Sequence, residues 1–364
     1  MRHRKSSRLR NMRIAIVTDA WSPQTNGVVS TLRQTTASLE KFGHEILHVT
    51  PNLFRSVPCP TYPEIRLALF PYRKLSKLIG GFRPDAIHIA TEGSLGFAAR
   101  RYCMRNRLQF TTSYHTQFPQ YLRSRFPIPT AFSYRALLWF HGAATHCMVS
   151  TQTVRNQLAE RGFRNLVRWQ RGVDTELFKP GAKDFLQLPR PIAAYVGRVA
   201  IEKNIDAFLR MPWKGTRLVI GDGPELPRLK VQFPDAVYAG FRFGEDLARH
   251  LAASDVFVFP SLTDTFGLVN LEAMACGVPV AAYPVAGPID VVEDGVIGAL
   301  HEDLAHAALR ALAIDPQKCR DRALRSGWET CSREFESNLV PCHGQRMPHA
   351  MPTAARAPTL RQPV

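Results

Sequence analysis

Short apolar strands alternate with helix-compatible stretches along this chain, and the alternation starts twice. Such alternation favours a parallel β-sheet covered by helices on both faces. A segment rich in Pro and Gly at 171–191 separates the two series. The strand candidates of the first series are 12–21, 45–51, 85–91, 109–116 and 145–151, and those of the second are 192–198, 216–223, 236–241, 253–261 and 279–285.

The repeated pattern predicts an α/β protein of two doubly wound, Rossmann-like domains, at 12–180 and 181–338. Ligands of such sheets bind at the carboxyl ends of the strands, so we expect the chemistry in a cleft between the two domains. Residues 1–11 are basic and are interpreted as an N-terminal arm. Residues 339–364 are rich in Pro and Ala, without periodicity, and predict a disordered tail.

The composition is strongly basic. The 364 residues include 47 Lys and Arg against 30 Asp and Glu, a formal charge of +17. Such a chain favours anionic partners, which include nucleic acid, an anionic membrane and phosphorylated small molecules. The seven cysteines form no C-x-x-C pair or metal-ligand spacing, which indicates reduced thiols. No apolar run reaches the roughly 18 residues that span a bilayer, and the basic start lacks a signal-type apolar core, so we expect a cytoplasmic protein.

Each half carries a glycine turn between a strand and a helix. In the first half, Gly27 stands at a predicted helix start, where backbone N–H groups and the helix dipole suit a phosphate. In the second half, Gly197 allows close backbone approach, and Arg198 and Lys203 follow it. These two cations could neutralise a departing diphosphate without a metal ion. The alternatives are an ordinary structural turn and two solvated cations at a helix start.

The stretch PSLTDTFGLVNLEAMACGVPV at 260–280 sets Asp264 eight positions before Glu272. Asp264 follows a strand and precedes a helix, so it could hold sugar hydroxyls, and Glu272, about two turns into the helix, could accept two ribose hydroxyls. The alternative is a purely structural role, in which Asp264 is a helix N-cap and Glu272 is an ordinary acidic residue of the helix. The backbone amides that could serve a donor sugar at this helix start are those of Phe266, Gly267, Leu268 and Val269.

A histidine, His115, follows the strand candidate 109–116 and should face the cleft. A lone histidine is more often structural, but its place at a strand end favours a functional role.

Together, PQTNGVVSTL, SYHTQFPQYL, QRGVDTELF, GRVAIEKN, IGDGPE and the acidic stretch from 260 resemble the retaining nucleotide-sugar glycosyltransferases of family 4, which have the two-domain GT-B fold. The resemblance runs from about residue 12 to about residue 337. It is nearest to the branch of GDP-mannose-dependent mannosyltransferases and of sulfoquinovosyl and glucosyl diacylglycerol synthases.

The resemblance implies a role for each matching position. Arg198 and Lys203 would grip the donor diphosphate, and Gly27 would close over it. Glu272 matches the second acid of an E-x7-E element and would hold the ribose, while Asp264 replaces the first glutamate with a side chain one methylene shorter. His115 would lie beside the 6-hydroxyl of the sugar. Residues 171–174 match a loop to which the resemblance assigns no role.

The family's enzymes retain the anomeric configuration, apparently by same-face attack in which the leaving phosphate oxygen takes the acceptor's proton. The resemblance thus implies no enzymic nucleophile, no metal ion and no cofactor, since the nucleotide-sugar is a substrate. The shorter acid at 264 implies a shift in donor preference rather than loss of activity.

Two stretches of the first half, 69–83 and 121–140, mix aromatic, aliphatic and basic residues. A short amphipathic surface of this kind can lie in a membrane interface. The alternative is a half-buried helix with a solvated basic face. The candidate residues of this acceptor or membrane surface are Tyr72, Arg73, Lys74, Lys77, Arg123 and Arg125.

We therefore expect a hexosyltransferase that moves a hexose, with mannose favoured, from a nucleotide-diphosphate sugar to a lipid-linked acceptor at the inner face of the membrane. UDP-glucose, UDP-galactose or UDP-glucuronate as donor, and diacylglycerol or a soluble glycan as acceptor, stay open. A nicotinamide-dependent dehydrogenase is disfavoured because neither half has G-x-G-x-x-G with an acid about 20 residues later. A nucleic-acid-binding protein is disfavoured because no signature of that class occurs, so no nucleic-acid partner is expected.

Overall fold

The computed structural model describes residues 11–24, 26–59, 62–123 and 129–343. The first half of the chain builds a six-stranded sheet in which all neighbouring strands are parallel. In spatial order its strands are β2 (Glu45–Val49), β1 (Arg13–Val17), β5 (Ala86–Ile89), β6 (Thr111–Tyr114), β7 (His146–Val149) and β8 (Leu166–Arg168).

The second half builds another six-stranded parallel sheet. Its spatial order is β11 (Val237–Gly240), β10 (Thr216–Ile220), β9 (Ile192–Val196), β12 (Val256–Phe259), β13 (Val280–Ala282) and β14 (Gly298–Leu300). The predicted α/β architecture with two doubly wound sheets is confirmed.

Three elements escaped the sequence prediction. The strands β8 and β14 are three residues long, which is too short to show a periodic pattern. An antiparallel hairpin of β3 (Ser56–Cys59) and β4 (Tyr62–Ala68) lies outside the main sheets. Proline within β3 is unusual for a strand, and it is tolerated because this hairpin has only edge strands.

Helices cover the faces of both sheets. Those of the first half are α1 (Gly27–Lys41), α2 (Tyr72–Phe82), α3 (Ser94–Asn106), α4 (Phe118–Arg123), α5 (Thr130–His141) and α6 (Gln152–Glu160). Those that follow are α7 (Ile205–Arg210), α8 (Leu226–Gln232), α9 (Gly244–Ala253), α10 (Leu268–Ala275), α11 (Pro288–Val291), α12 (Leu304–Ala311), α13 (Pro316–Leu324) and α14 (Trp328–Asn338).

The strands are buried on both faces, as parallel sheets require. Along β1, Ile14 and Ile16 pack in one apolar cluster, and Ala15 and Val17 pack in the cluster on the opposite face. This alternation follows from the two-residue period of a strand. The continuous apolar runs read from the sequence are therefore the signature of strands covered from both sides.

The last helix, α14, crosses back from the second sheet to the first. Cys331 and Phe335 are buried in the same cluster as Leu32 of α1. His44 lies 2.7 Å from Glu336, and both side chains are almost fully buried. The sequence assigned residues 181–338 to the second domain, but the packing places α14 on the first, because its apolar face covers α1.

The segment after α14 also lies on the first sheet. The N–H of Cys342 donates to the carbonyl of Asp85 at 2.7 Å, and the N–H of Gln109 donates to the carbonyl of Cys342 at 2.9 Å. The predicted disorder from residue 339 therefore does not hold for 339–343, because this segment is hydrogen-bonded to the chain just before β5 and β6. The predictions for residues 1–10 and 344–364, and for Arg125, lie outside the described residues.

Candidate functional site

The second sheet changes its direction of strand addition between β9 and β12. Crevices at such switch points are the usual ligand sites of doubly wound sheets. The chain leaving β9 carries Gly197 and Arg198 and forms a short 3-10 turn at Ile201–Lys203. The chain leaving β12 carries Asp264. The sequence-predicted residues 197, 198, 203 and 264 therefore flank one crevice.

The turn after β9 is held rigidly by backbone contacts. Gly197 has φ +147°, a conformation that side-chain-bearing residues rarely adopt, and a Cβ added at the neighbouring Gly221 would lie 1.8 Å from the carbonyl oxygen of Gly197. The hydroxyl of Tyr195 donates to the carbonyl of Arg198 at 2.7 Å. The glycines allow β9 and β10 to end side by side, and the backbone at Arg198 is fixed as a result.

Lys203 and Asp264 join the two sides of the crevice. The Nζ of Lys203 lies 2.7 Å from Oδ2 of Asp264, and about a fifth of each side chain is exposed. Beside this ion pair, Nδ2 of Asn204 donates to the carbonyl of Pro260 at 3.1 Å. The N-cap of α10 is Gly267, and no side chain caps that helix, so the alternative that Asp264 is an N-cap does not hold.

Glu272 lies further along α10 and is half-buried. Burial raises the pKa of its carboxyl to about 7. Among the described residues, none forms a side-chain hydrogen bond or ion pair with it. Glu272 is thus a poorly solvated acid on α10, the helix that follows the Asp264 loop.

The first domain faces this crevice with the start of α1. Asn26 caps α1, and its Oδ1 accepts from the N–H groups of Val28 and Val29. A Cβ added at Gly27 would lie 3.4 Å from Cδ1 of Leu268, the first residue of α10. The N-termini of α1 and α10 therefore meet across the cleft, and the positive ends of both helix dipoles point to one region. Phe266 is buried, and Gly267, Leu268 and Val269 are half-buried.

His115 follows β6 and lies at the contact between the domains. Its carbonyl accepts from Oγ1 of Thr265 at 2.6 Å, and its Nδ1 lies 3.2 Å from Nη2 of Arg171. Burial, followed by the charge of Arg171 and the neighbouring histidines 88 and 141, holds the pKa of His115 well below its usual range. His115 therefore lies where the two domains meet, in surroundings that disfavour its imidazolium form.

Further side chains tie the Asp264 loop to the first domain. Nε2 of Gln117 donates to the carbonyl of Asp264 at 3.1 Å, and Oγ of Ser150 donates to the carbonyl of Thr265 at 3.0 Å. Sequence reasoning missed these contacts and the one between Arg171 and His115. The sequence analysis identified the motifs SYHTQF and QRGVD, but a single sequence does not show that these two segments are in contact in the fold.

The described residues of the predicted acceptor surface lie on α2 and α4, away from the turns that carry Lys203 and Asp264 in sequence. In α2, Leu75 and Ile79 are buried in the core, while Arg73, Lys74 and Lys77 are exposed and Tyr72 is half-buried. The described residue Arg123 is exposed at the end of α4. The helix α2 therefore has one buried apolar face and one exposed basic face, which is compatible with both the predicted surface and its alternative.

The described part of the chain has neither a membrane-spanning helix nor a cluster of metal-binding side chains. No helix within it has the length and apolarity needed to cross a bilayer. Within the same ranges, no three His, Cys, Asp or Glu side chains gather in a way that could bind a metal ion.

Two protein families match the chain in sequence. Residues 25–177 match the family described as Glycosyltransferase Family 4, and residues 190–314 match the family described as Glycosyl transferases group 1. The first match includes the strands of the first sheet from β2 onward, and the second match includes all strands of the second sheet.

Known proteins resemble the chain over most of its length. A GDP-mannose-dependent alpha-mannosyltransferase of Mycobacterium tuberculosis is 31% identical over 309 residues, which are 77% of this chain and 81% of that protein. A sulfoquinovosyl transferase of Arabidopsis thaliana is 31% identical over 287 residues, which are 70% of this chain and 56% of that protein. The structure of HepE from Anabaena in complex with UDP and glucose has a TM-score of 0.68 at 18% identity, covers 90% of this chain and 99% of that one, and shares its fold.

Proposed function

The chain belongs to glycosyltransferase family 4, and we propose that it transfers a hexose, with mannose favoured, from a nucleotide-diphosphate sugar to a lipid-linked acceptor with retention of configuration. The observation that carries this proposal is the ion pair of Lys203 and Asp264 at the switch point of the second sheet. A cation and an acid held in one crevice can bind a diphosphate and sugar hydroxyls side by side.

The diphosphate would lie between the starts of α1 and α10. Arg198 and Lys203 supply positive charge on the side of the second domain, and the turn at Gly27 faces them from the first. Guanidinium and ammonium groups that meet the charge developing on a leaving diphosphate stabilise the transition state. This arrangement supports a metal-independent reaction.

The two ends of the donor would be held by the acids. Asp264 would bind sugar hydroxyls, with His115 on the opposite side of the cleft. Glu272 would accept the two ribose hydroxyls, and these donors would stabilise the charged form of an acid whose pKa burial raises. The uncapped start of α10 leaves its first amides available to the donor.

Retention would follow from same-face attack. The acceptor oxygen forms a bond to the anomeric carbon while the bond from that carbon to the diphosphate oxygen breaks, and the acceptor proton passes to that leaving oxygen. The step forms one bond and breaks one bond at carbon, and it needs no enzymic nucleophile.

Mannose is favoured as the sugar because the mycobacterial relative is named as a GDP-mannose-dependent mannosyltransferase. The plant relative is named as a sulfoquinovosyl transferase, and the Anabaena structure holds UDP and glucose. A UDP-sugar donor with a diacylglycerol or soluble glycan acceptor is therefore the second candidate.

A lipid acceptor is supported by one aromatic and basic face of the first domain. Phe97 of α3 stacks on Trp139 of α5, with ring centroids 6.1 Å apart, and about half of each residue is exposed. Phe132 of α5 is also exposed. Exposed aromatic rings beside the guanidinium of Arg100, which lies 3.6 Å from the ring centroid of Trp139, suit a peripheral contact with an anionic membrane surface.

An anionic acceptor head group is supported by a basic pocket close to the cleft. The pocket, of about 320 Å³, lies beside Arg135 and Arg161 and is continuous with a space beside Arg123. Tyr134 lines both spaces, and its hydroxyl accepts from Nε2 of Gln120 at 2.7 Å. Gln120 follows Gln117, which contacts the Asp264 loop, by three residues, so the pocket lies on the segment that adjoins this loop.

The test is transfer from GDP-mannose, UDP-glucose, UDP-galactose and UDP-glucuronate to lipids of a membrane extract, with and without EDTA. We expect one labelled glycolipid, an α product by NMR, and no effect of EDTA. The Arg198→Ala/Lys203→Ala double variant should lose transfer, while the charge-matched Lys214→Ala/Lys318→Ala variant should keep it. Purified protein that neither binds nor turns over any of these donors would overturn the proposal.

A further inference from the structure

Arg171 is a buried cation that several acceptors hold in one orientation. Its Nη1 donates to the carbonyls of Trp169 at 2.7 Å and Gln170 at 3.1 Å, and its guanidinium lies 4.3 Å from the ring centroid of Trp169. Burial lowers its pKa to about 10, so it stays charged at neutral pH. Its other terminal nitrogen, Nη2, lies 3.2 Å from Nδ1 of His115.

This contact fixes the proton of the imidazole. A guanidinium has donors only, so Nδ1 of His115 must offer its lone pair. A neutral imidazole has one N–H group, which is then on Nε2. A second proton on His115 would place two cations in direct contact within a buried site.

We propose that Arg171 is a positioning residue that fixes His115 as the neutral Nε2–H tautomer, so that His115 donates a hydrogen bond to the substrate and accepts no proton. The inference rests on the proposed glycosyl transfer and gives a role to Arg171, the first residue of the loop at 171–174.

The surroundings of His115 favour the same state. Its Nε2 is shielded from solvent and has no partner among the described residues, so a bound substrate would supply the acceptor that an N–H group at this position needs. The titratable groups that face the ring are Arg171, His88 of β5 and His141 of α5. With burial they disfavour the imidazolium, so the ring stays neutral over the working pH range.

The tautomer restricts the route of the acceptor proton. When the acceptor oxygen bonds to the anomeric carbon and the diphosphate leaves, the proton cannot go to Nε2, which already has one, or to Nδ1, which Arg171 occupies. It passes to the departing diphosphate oxygen. The hydrogen bond from Nε2 then serves to orient the sugar.

The tautomer can be measured without any substrate. In protein with ¹⁵N-labelled histidine, long-range ¹⁵N–¹H spectra assigned with His115→Gln should show His115 protonated at Nε2 and not titrating from pH 5.5 to 8.5. Arg171→Met should let it titrate or populate both tautomers, while the exposed-site control Arg164→Met should not. A wild-type His115 protonated at Nδ1, or titrating near pH 6.5, would overturn the proposal, even if Arg171→Met failed to fold.

Kinetic measurements distinguish whether His115 donates a hydrogen bond to the substrate or accepts a proton from it. The amide nitrogen of glutamine can take the place of Nε2, so His115→Gln should keep kcat within about 10-fold of wild type, and His115→Ala should lose about 100-fold. Arg171→Met should lower kcat with little change in the donor KM, and Arg171→Lys should restore part of it. Equal losses in His115→Gln and His115→Ala, together with loss of one limb of the pH profile, would identify a base and contradict the inference.

Failure of the inference is distinguishable from failure of the proposed function. If wild-type protein turns over no nucleotide-sugar, the proposed function fails while the spectra still report the tautomer. If transfer occurs but His115 titrates, only the inference fails.

Discussion

Lys203 Nζ lies 2.7 Å from Asp264 Oδ2, so the cation expected to meet the diphosphate already has an acid beside it. A nucleotide that binds at this crevice must compete with Asp264 for Lys203. Asp264 thereby links the affinity for the diphosphate to the placement of the sugar.

Asp264→Asn should strengthen binding of GDP or UDP by up to about 5-fold, since a partly exposed ion pair contributes about 1 kcal/mol or less. Sugar transfer should fall, because the amide binds sugar hydroxyls less strongly than a carboxylate. Calorimetry and initial rates measure the two effects. Asp206→Asn, which removes an acid paired with Arg228 on the surface, is the matched control, and equal nucleotide affinity in both variants would contradict the prediction.

Asp264→Glu should change the preference among donors more than it changes the total rate. The added methylene moves the carboxylate toward the sugar while the charge beside Lys203 stays. The ratio of kcat/KM values for GDP-mannose and UDP-glucose measures the effect. An unchanged ratio would show that the acid at 264 does not contact the sugar.

Glu272 should make the donor-free protein less stable as the pH rises. Its pKa is about 7 in the folded state against an ordinary value of 4.5, so between these values the folded protein binds more protons than the unfolded one. The contribution of Glu272 to stability therefore falls as the pH rises through this window. Glu272→Gln should have a higher Tm than wild type at pH 8, by about 2–4 °C, and no advantage at pH 4.5.

The same substitution should weaken nucleotide binding about 10-fold to 100-fold, since the ribose would lose hydrogen bonds to a charged group. Thermal unfolding with and without GDP or UDP checks both effects in one experiment. Glu202→Gln, on the neighbouring turn, is a control for the loss of one acid. A Glu272→Gln variant with wild-type nucleotide affinity would show that Glu272 does not bind the ribose.

Arg73→Ser/Lys77→Ser should weaken binding to vesicles that contain anionic lipid by about 30-fold, since each cation near such a surface contributes about 1 kcal/mol. Co-sedimentation at low and high salt measures the loss. The Lys214→Ser/Lys318→Ser variant removes the same charge from exposed positions of the second domain. If both double variants bind equally, the face formed by α2, α3 and α5 is not the membrane contact.

Phe335→Ala should lower the free energy of unfolding by about 3–5 kcal/mol, because it leaves a cavity between α14 and α1. Chemical denaturation measures the loss. Thr330→Ala, at an exposed position of the same helix, should stay within about 0.5 kcal/mol of wild type. A small effect of Phe335→Ala would mean that α14 does not stabilise the first domain.

The sequence predicted the sheets well and the contacts between distant loops poorly. Buried parallel strands are apolar throughout, so runs such as 13–17 and 192–196 stand out in one dimension. The approach of Arg171 to His115 depends on how two loops pack, and no local pattern records it. For the same reason the placement of α14 was missed, since its amphipathic face fits either sheet.

The crossing of α14 also matters for dividing the protein. A cut in the segment between the two sheets would expose the apolar side of α1 in the first fragment. The second fragment would retain α14 without the apolar surface on which this helix packs. Neither half should behave as a well-ordered unit by itself. Produced together, the halves should reassociate, which makes this enzyme a natural starting point for a complementation reporter.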